Sequence, residues 1–202
     1  INRAPRMATA GAPGEARWLR IELKLIADVG LVGLPNAGKS TLLSKLSAAN
    51  PRIAPYPFTT LEPQLGVLQS PDYPPCIIAD IPGLIAGAHA GVGLGHTFLR
   101  HVERTRILLH IADCSSETLA ADITTIEREL ALYKKELAGR RKILVLNKTD
   151  LLDTEELAEK TRQLAETHGD IVAISGACGD GIDDLKQRIF TCLATMNERK
   201  GQ

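Results

Sequence analysis

The stretch that decides the fold reads Val29-Gly30-Leu31-Val32-Gly33-Leu34-Pro35-Asn36-Ala37-Gly38-Lys39-Ser40-Thr41-Leu42-Leu43-Ser44-Lys45-Leu46. It opens with a short apolar run, as a buried strand does. Its middle, Gly33 to Ser40, matches the pattern GxxxxGK[ST] in full. Thr41 to Leu46 then continues as a helix. The spacing has a physical reason. Gly33 and Gly38 allow the backbone to wrap its N–H groups around a β-phosphate. The N-terminus of the following helix turns its partial positive charge toward the same group. Lys39 reaches the β- and γ-phosphates, and the Ser40 hydroxyl is a Mg²⁺ ligand. The motif implies a nucleoside triphosphate, but neither a base nor a reaction.

Similar apolar runs recur at Cys76–Ala79, Ile107–Ala112, Ile143–Leu146 and Ile171–Ile174. They are rich in Ile, Val and Leu, as strands buried on both faces are. Helical spacing fills the gaps. One stripe is Leu119, Ile123, Ile126, Leu130, Tyr133 and Leu137. A second is Leu157, Thr161, Leu164 and Ala165, and a third is Ile182, Leu185, Ile189, Leu193 and Met196. Asp153 or Thr154, followed by Glu155 and Glu156, reads as a helix N-cap with acidic residues near the dipole. Strands alternating with helices predict an α/β fold with a parallel sheet covered on both faces. Leu65–Gln69 reads as an antiparallel edge strand beside Cys76–Ala79. The expectation is a P-loop NTPase domain with a six-stranded, mostly parallel sheet.

The 202 residues suit one domain with a short attached segment. Lys and Arg number 24, as do Asp and Glu, so no net field favours nucleic acid or anionic membranes. Aromatic residues make up 3%, too few for a base-stacking platform. No apolar run approaches ~20 residues, so no span of a bilayer is expected. Cys76, Cys114, Cys178 and Cys192 form no CxxC pair, which suits a reducing cytoplasm; Cys76 and Cys114 sit in apolar runs and read as small buried thiols. Ile1 to Glu15 reads as loop, and Leu19–Leu25 alternates as a half-buried strand. The first residue is Ile1, so the chain reads as a piece of a longer one.

Asn147-Lys148-Thr149-Asp150 follows the strand Lys142–Leu146 and fits NKxD. The Asp150 carboxylate can accept from guanine N1–H and the exocyclic amino group. Adenine lacks that donor pair. Lys148 is expected along the base or the loop, and Asn147 as a brace for the phosphate loop. Ser175-Gly176-Ala177 resembles the element whose backbone contacts guanine O6. Asp80-Ile81-Pro82-Gly83 is a DxxG motif. Asp80 would hold Mg²⁺ through water, and the Gly83 amide would sense the γ-phosphate. In Tyr56-Pro57-Phe58-Thr59-Thr60-Leu61 one threonine, Thr60 by preference, completes the Mg²⁺ shell.

Leu84 stands where many GTPases carry a water-orienting glutamine, and leucine cannot orient water. Slow hydrolysis is therefore expected. Asn36 is the candidate to help bind a potassium ion near the phosphates, which would do the electrostatic work of an arginine finger. The glycines 87, 91, 93 and 95 suit a segment that orders with the γ-phosphate. They lack the full GxGxxG spacing of a dinucleotide loop. His89 and His96 within that segment read as solvated. His101, His110 and His168 have no metal-ligand spacing. Two rivals are a P-loop kinase or ATPase, against which NKTD speaks, and a GTP-binding scaffold with negligible turnover, which Leu84 leaves open.

GLPNAGKST, YPFTTLEPQLGVL, DIPGLIAGAHAGVGLGHTFLRH, NKTD and SGA together resemble the Obg family of bacterial GTPases. Asn2 to Val32 resembles the end of that family's glycine-rich N-terminal domain and its junction with the GTPase domain. The resemblance implies residues 1–26 as that remnant and 27–202 as a Ras-like G domain. It implies hydrolysis of GTP to GDP and phosphate, as a switch in large ribosomal subunit assembly with links to the stringent response. A cytoplasmic location, weak nucleotide affinity and binding of guanosine tetraphosphate in the same pocket are implied too. By residue match, Ser40, Thr60 and Asp80 take magnesium-associated positions. Gly33 to Thr41 and Phe58, Thr59, Thr60, Leu61 and Glu62 take nucleotide-contacting ones. So do Asp80 to Gly83, Asn147 to Asp150 and Ser175 to Ala177. Leu84 agrees with the family pattern.

Overall fold

The computed structural model describes residues 11, 14–18, 27–53, 64–80, 105–133 and 139–198. The elements run β1 (Val29–Val32), α1 (Lys39–Leu46), β2 (Arg52–Ile53), β3 (Gln64–Leu68), β4 (Cys76–Asp80), β5 (Ile107–Asp113), α2 (Leu119–Tyr133), β6 (Lys142–Asn147), a 3-10 turn (Thr149–Leu151), α3 (Thr154–Ala165), β7 (Ile171–Ala173) and α4 (Ile182–Glu198). One sheet contains all these strands, in the order β2-β3-β4-β1-β5-β6-β7. The six expected strands are present. A seventh, two residues long, lies antiparallel outside β3, so β3 is flanked on both sides rather than forming the edge. Two residues are too few to show a period in the sequence. The expected strand Leu19–Leu25 and residues 1–10 of the expected loop lie outside the described residues.

The sheet is parallel from β4 through β1, β5 and β6 to β7. Its strands alternate between two apolar faces. Leu31, Ile107, Leu109, Ile111, Ile143 and Val145 point to one face with Leu42 and Leu43 of α1 and Leu185, Ile189 and Phe190 of α4. Val32, Ala79 and Leu108 point to the other, under Ile126 and Leu130 of α2. Leu144 and Leu146 meet Leu119 and Ile123 of α2 and Leu164 of α3 on that same side. The stripe of α2 is buried at Leu119, Ile123, Ile126 and Leu130, that of α4 at Ile182, Leu185, Ile189 and Leu193. In α3 Leu164 is buried, Leu157 and Thr161 are half-buried and Ala165 is exposed, while Leu137 lies outside the described residues. Asp153 caps α3 by accepting from the Glu156 N–H at 2.8 Å.

The amino ends of the strands are tied at Asp28. Its N–H donates to the Ile77 carbonyl at 2.8 Å, and its carboxylate accepts from the Ile77 N–H at 3.1 Å. Its own carbonyl accepts from the N–H groups of Arg106 and Ile107. The Arg106 guanidinium lies 3.7 Å from the Asp28 carboxylate and donates to Asn197 of α4 at 2.6 Å. One residue therefore joins β1 to β4 and β5. The opposite, carboxyl edge carries Gly33, Asp80, Asp113 and Asn147 at or just past the strand ends. From β1 the chain goes first toward β4, then returns to β5 on the other side. The carboxyl end of β1 is therefore a topological switch point, where α/β sheets bind ligands.

His110 of β5 is 3% exposed on the α2 and α3 face. Burial pushes its pKa down to about 4, a shift moderated by Glu127 of α2 and reinforced by Lys142 of β6 and His168 after α3. The Lys142 ammonium donates to Glu127 at 2.8 Å, and His168 Nε2 lies 3.7 Å from the same oxygen.

The packing sets two expectations for stability. In urea unfolding, Leu109→Ala should cost about 3 kcal/mol through lost burial and a cavity, and Asp153→Ala about 1 kcal/mol through the lost cap. Equal losses at the two sites would contradict the packing described. The second concerns pH. The unfolded His110 takes up a proton more readily than the folded one, so stability should fall as pH drops from about 6.5 toward 4. His110→Leu should flatten that part of the profile relative to the parent; parallel profiles would contradict it.

Candidate functional site

The phosphate loop leaves β1 at Gly33. A Cβ there would overlap the backbone carbonyl oxygen of Ile111, which cannot swing aside. Asn36 takes the left-handed region at φ 62°, and Gly38 also has a positive φ, 96°. A Cβ on Gly38 would overlap the Asn147 amide nitrogen. Gly38 offers no side-chain cap to α1, so the helix presents its first-turn amides uncapped at the loop. Ala37 is buried, while Pro35 and Asn36 are exposed. The Lys39 ammonium donates to the carbonyls of Gly33 at 2.9 Å and Leu34 at 2.8 Å. Burial lowers its pKa, and the Asp80 charge opposes that shift. A cation is thereby held along the loop's own wall.

Ser40, at the start of α1, donates its hydroxyl to Asp80 Oδ2 at 2.6 Å. Asp80 closes β4 and is 6% exposed. Its other oxygen, Oδ1, is buried with no hydrogen-bond partner among the described residues. A buried carboxylate oxygen without a donor is costly unless a cation or water meets it. A hydroxyl and a half-satisfied carboxylate, side by side near a phosphate loop, are an oxygen-only donor set. That set fits Mg²⁺, which keeps several of its waters.

Asn147 ends β6 and is 2% exposed. Its amide nitrogen donates to the Ala37 carbonyl at 2.8 Å, and its amide oxygen accepts from the Gly176 N–H at 2.9 Å. One side chain thus joins the phosphate loop to the loop after β7. Lys148 follows in the left-handed region at φ 69°. Thr149 N–H donates to the Ile174 carbonyl, which holds the 3-10 turn against the end of β7. Asp150 stands exposed in that turn, its carboxylate accepting from the Ser175 hydroxyl at 2.5 Å. Ser175 is fully buried, and its hydroxyl also accepts from the Cys178 N–H. Ala177 is exposed at the tip. The three separated motifs therefore meet at one edge of the sheet.

Asp113 was not singled out by sequence reasoning. It ends β5 in register with Asn147 and accepts from the Lys148 ammonium at 2.5 Å. The available signal was a carboxylate closing an otherwise apolar strand, one strand away from NKTD. Phe58, Thr59, Thr60, Leu61 and Glu62 lie outside the described residues. So do Ile81, Pro82, Gly83, Leu84, the glycines from 87 to 95, His89 and His96. Among the described residues no helix is long and apolar enough to cross a membrane.

Comparison with known proteins gives three results. The profile of the family described as "50S ribosome-binding GTPase" matches residues 28–148, more than half of the chain. The chain is 59% identical over 199 residues to the GTPase Obg of Desulfotalea psychrophila, covering 96% of this chain and 53% of that protein. It is 52% identical over 202 residues to the GTPase Obg of a Synechococcus strain, covering 100% of this chain and 58% of that one. The chain thus spans about half the length of the curated relatives it matches. Among solved structures, the G domain of the T. maritima FeoB iron transporter aligns with a TM-score of 0.62 at 22% identity, over 82% of this chain and 97% of that one. A GDP-bound mutant of S. thermophilus NFeoB aligns with a TM-score of 0.62 at 21% identity, over 82% and 61%. Those two likenesses establish the G-domain fold and nothing further. The Obg resemblance read in the sequence is borne out by the relatives, and the chain belongs to the family of 50S ribosome-binding GTPases.

Proposed function

We propose that this chain binds guanine nucleotides and hydrolyses GTP to GDP and phosphate, as the switch module of a protein that acts in large ribosomal subunit assembly. The observation that carries the reading is Asn147. It bonds to Ala37 on one side and Gly176 on the other, so the phosphate-binding and base-reading loops are joined at one edge of the sheet. In this reading the backbone N–H groups of the loop from Gly33 to Thr41, all but that of Pro35, which has none, receive the phosphates, and Lys39 meets the β- and γ-phosphates. Asp150 reads N1–H and the amino group of guanine, with Ser175, Gly176 and Ala177 at O6. The Ser175 hydroxyl, bonded to Asp150, holds that carboxylate in place.

Ser40, and Asp80 through water, would hold Mg²⁺, with Thr60 as a third contributor. When bound, the ion neutralises charge on the β- and γ-oxygens. The Gly83 amide would report the γ-phosphate. Phe58 to Glu62 and Ile81 to Pro82 would form the nucleotide-responsive contacts. Leu84 removes the water-orienting group that many GTPases use, so turnover of the chain alone is slow. Asn36, exposed in the loop at a positive φ, is the proposed helper for a potassium ion. We assign residues 27–202 to the G domain and 1–26 to the end of a preceding domain. Guanosine tetraphosphate in the same pocket, a link to the stringent response, the large ribosomal subunit as partner and a cytoplasmic location complete the proposal. The relatives' name supports GTP hydrolysis, and the family description supports the large ribosomal subunit as partner.

Two experiments test this reading. By calorimetry, Asp150→Asn should weaken GDP roughly a hundredfold and improve xanthosine diphosphate, whose C2 carbonyl matches an amide donor. Unchanged GDP affinity, or ATP bound as tightly as GTP, would remove the guanine assignment. In single-turnover hydrolysis, potassium buffer should exceed sodium buffer, and Asn36→Ala should abolish the difference. Equal rates in the two salts would sink the potassium role while leaving nucleotide binding intact.

A further inference from the structure

The Lys148 side chain crosses from the end of β6 to the end of β5, where its ammonium donates to Asp113 Oδ2. The Asp113 carboxylate is itself fixed. Its Oδ1 accepts from the Ser115 N–H at 3.0 Å and the Ser115 hydroxyl at 2.6 Å. Burial would raise the Asp113 pKa, but the bonds from Lys148 and Ser115 outweigh it and hold the group below its ordinary value. The backbone beneath is equally tied. Cys114 N–H donates to the Asn147 carbonyl at 2.9 Å, and the Lys160 ammonium of α3 donates to the Cys114 carbonyl at 2.7 Å. Both side chains of the pair keep part of their surface exposed, 32% for Lys148 and 26% for Asp113. The lysine stem is therefore immobilised yet open along one side.

The residue before Lys148, Asn147, accepts from Gly176 of the loop Ser175 to Ala177, and Asp150 accepts from Ser175 of the same loop. We infer that Asp113 is a positioning residue for the purine base. It draws the Lys148 methylenes into a fixed apolar wall against which the flat base packs. This rests on the guanine-nucleotide reading and adds a residue to it. A free lysine would lose rotamer entropy on contact with a base; the ion pair removes that loss in advance. Asp113 touches Lys148 rather than the base edge. It strengthens binding of purine nucleotides alike, without choosing among them, and has no effect on phosphate binding.

The test uses the whole chain and three probes: GDP, inosine diphosphate, which lacks the exocyclic amino group, and tripolyphosphate, which lacks a base. Asp113→Ala should raise Kd for both nucleotides by about tenfold and by the same factor, with tripolyphosphate unchanged. In a Lys148→Ala background the same substitution should have no further effect. Asp113→Asn, which keeps an acceptor without the charge, should fall between parent and alanine variant. Thermal unfolding of each variant separates a folding defect from a binding one. Equal loss of tripolyphosphate affinity, an additive double variant, or GDP bound as by the parent would overturn the inference alone. A parent chain that bound no GDP would overturn the nucleotide reading itself.

Discussion

The join between the phosphate loop and the loop after β7 depends on one carboxamide. Asn147 is buried, and both of its polar atoms are used, one on the Ala37 carbonyl and one on the Gly176 amide. Neither loop can position the other directly, because they leave strands separated by β5 and β6. A carboxylate in that place would offer no donor to Ala37, and an aliphatic side chain would leave two buried backbone groups unsatisfied. Gly38 and Gly176 complete the arrangement by making room: each has the Asn147 side chain where its Cβ would point. The asparagine and the two glycines form a single packing unit drawn from three distant parts of the chain.

The sheet supplies the frame for that unit. Parallel strands bring all their carboxyl ends to one side, so residues separated by more than a hundred positions become neighbours. Polar residues close the strands there: Asp80, Asp113 and Asn147. Each is hydrogen-bonded to a side chain or backbone group from another element, apart from one oxygen of Asp80. At that oxygen the chemistry calls for a cation or water rather than a protein donor.

Much of this was legible in the sequence because the signals were local. The phosphate loop has a fixed spacing set by backbone geometry, and the strand runs are apolar because both faces are covered. The stripes of α2 to α4 follow from the helical period. Other features were not legible, for reasons that differ. Arg52–Ile53 is too short to carry a pattern. The Asp28 knot joins residues about 50 and 80 positions apart by mostly backbone bonds, which leave no trace in residue type. Asp113 is one carboxylate among many until the β5–β6 register sets it beside Lys148. His110 reads as one more histidine, and only its place under α2 and α3 makes it a buried neutral group.

The knot at Asp28 has a mechanical meaning. Between it and the phosphate loop lies only β1, four residues or about 13 Å of extended chain clamped by a strand on each side. Such a strand neither stretches nor bends appreciably. It works as a push rod. A displacement imposed on residue 27 from outside the sheet has no compliant segment in which to dissipate before Gly33. Motion passed along this route reaches the loop through a strand held on both sides.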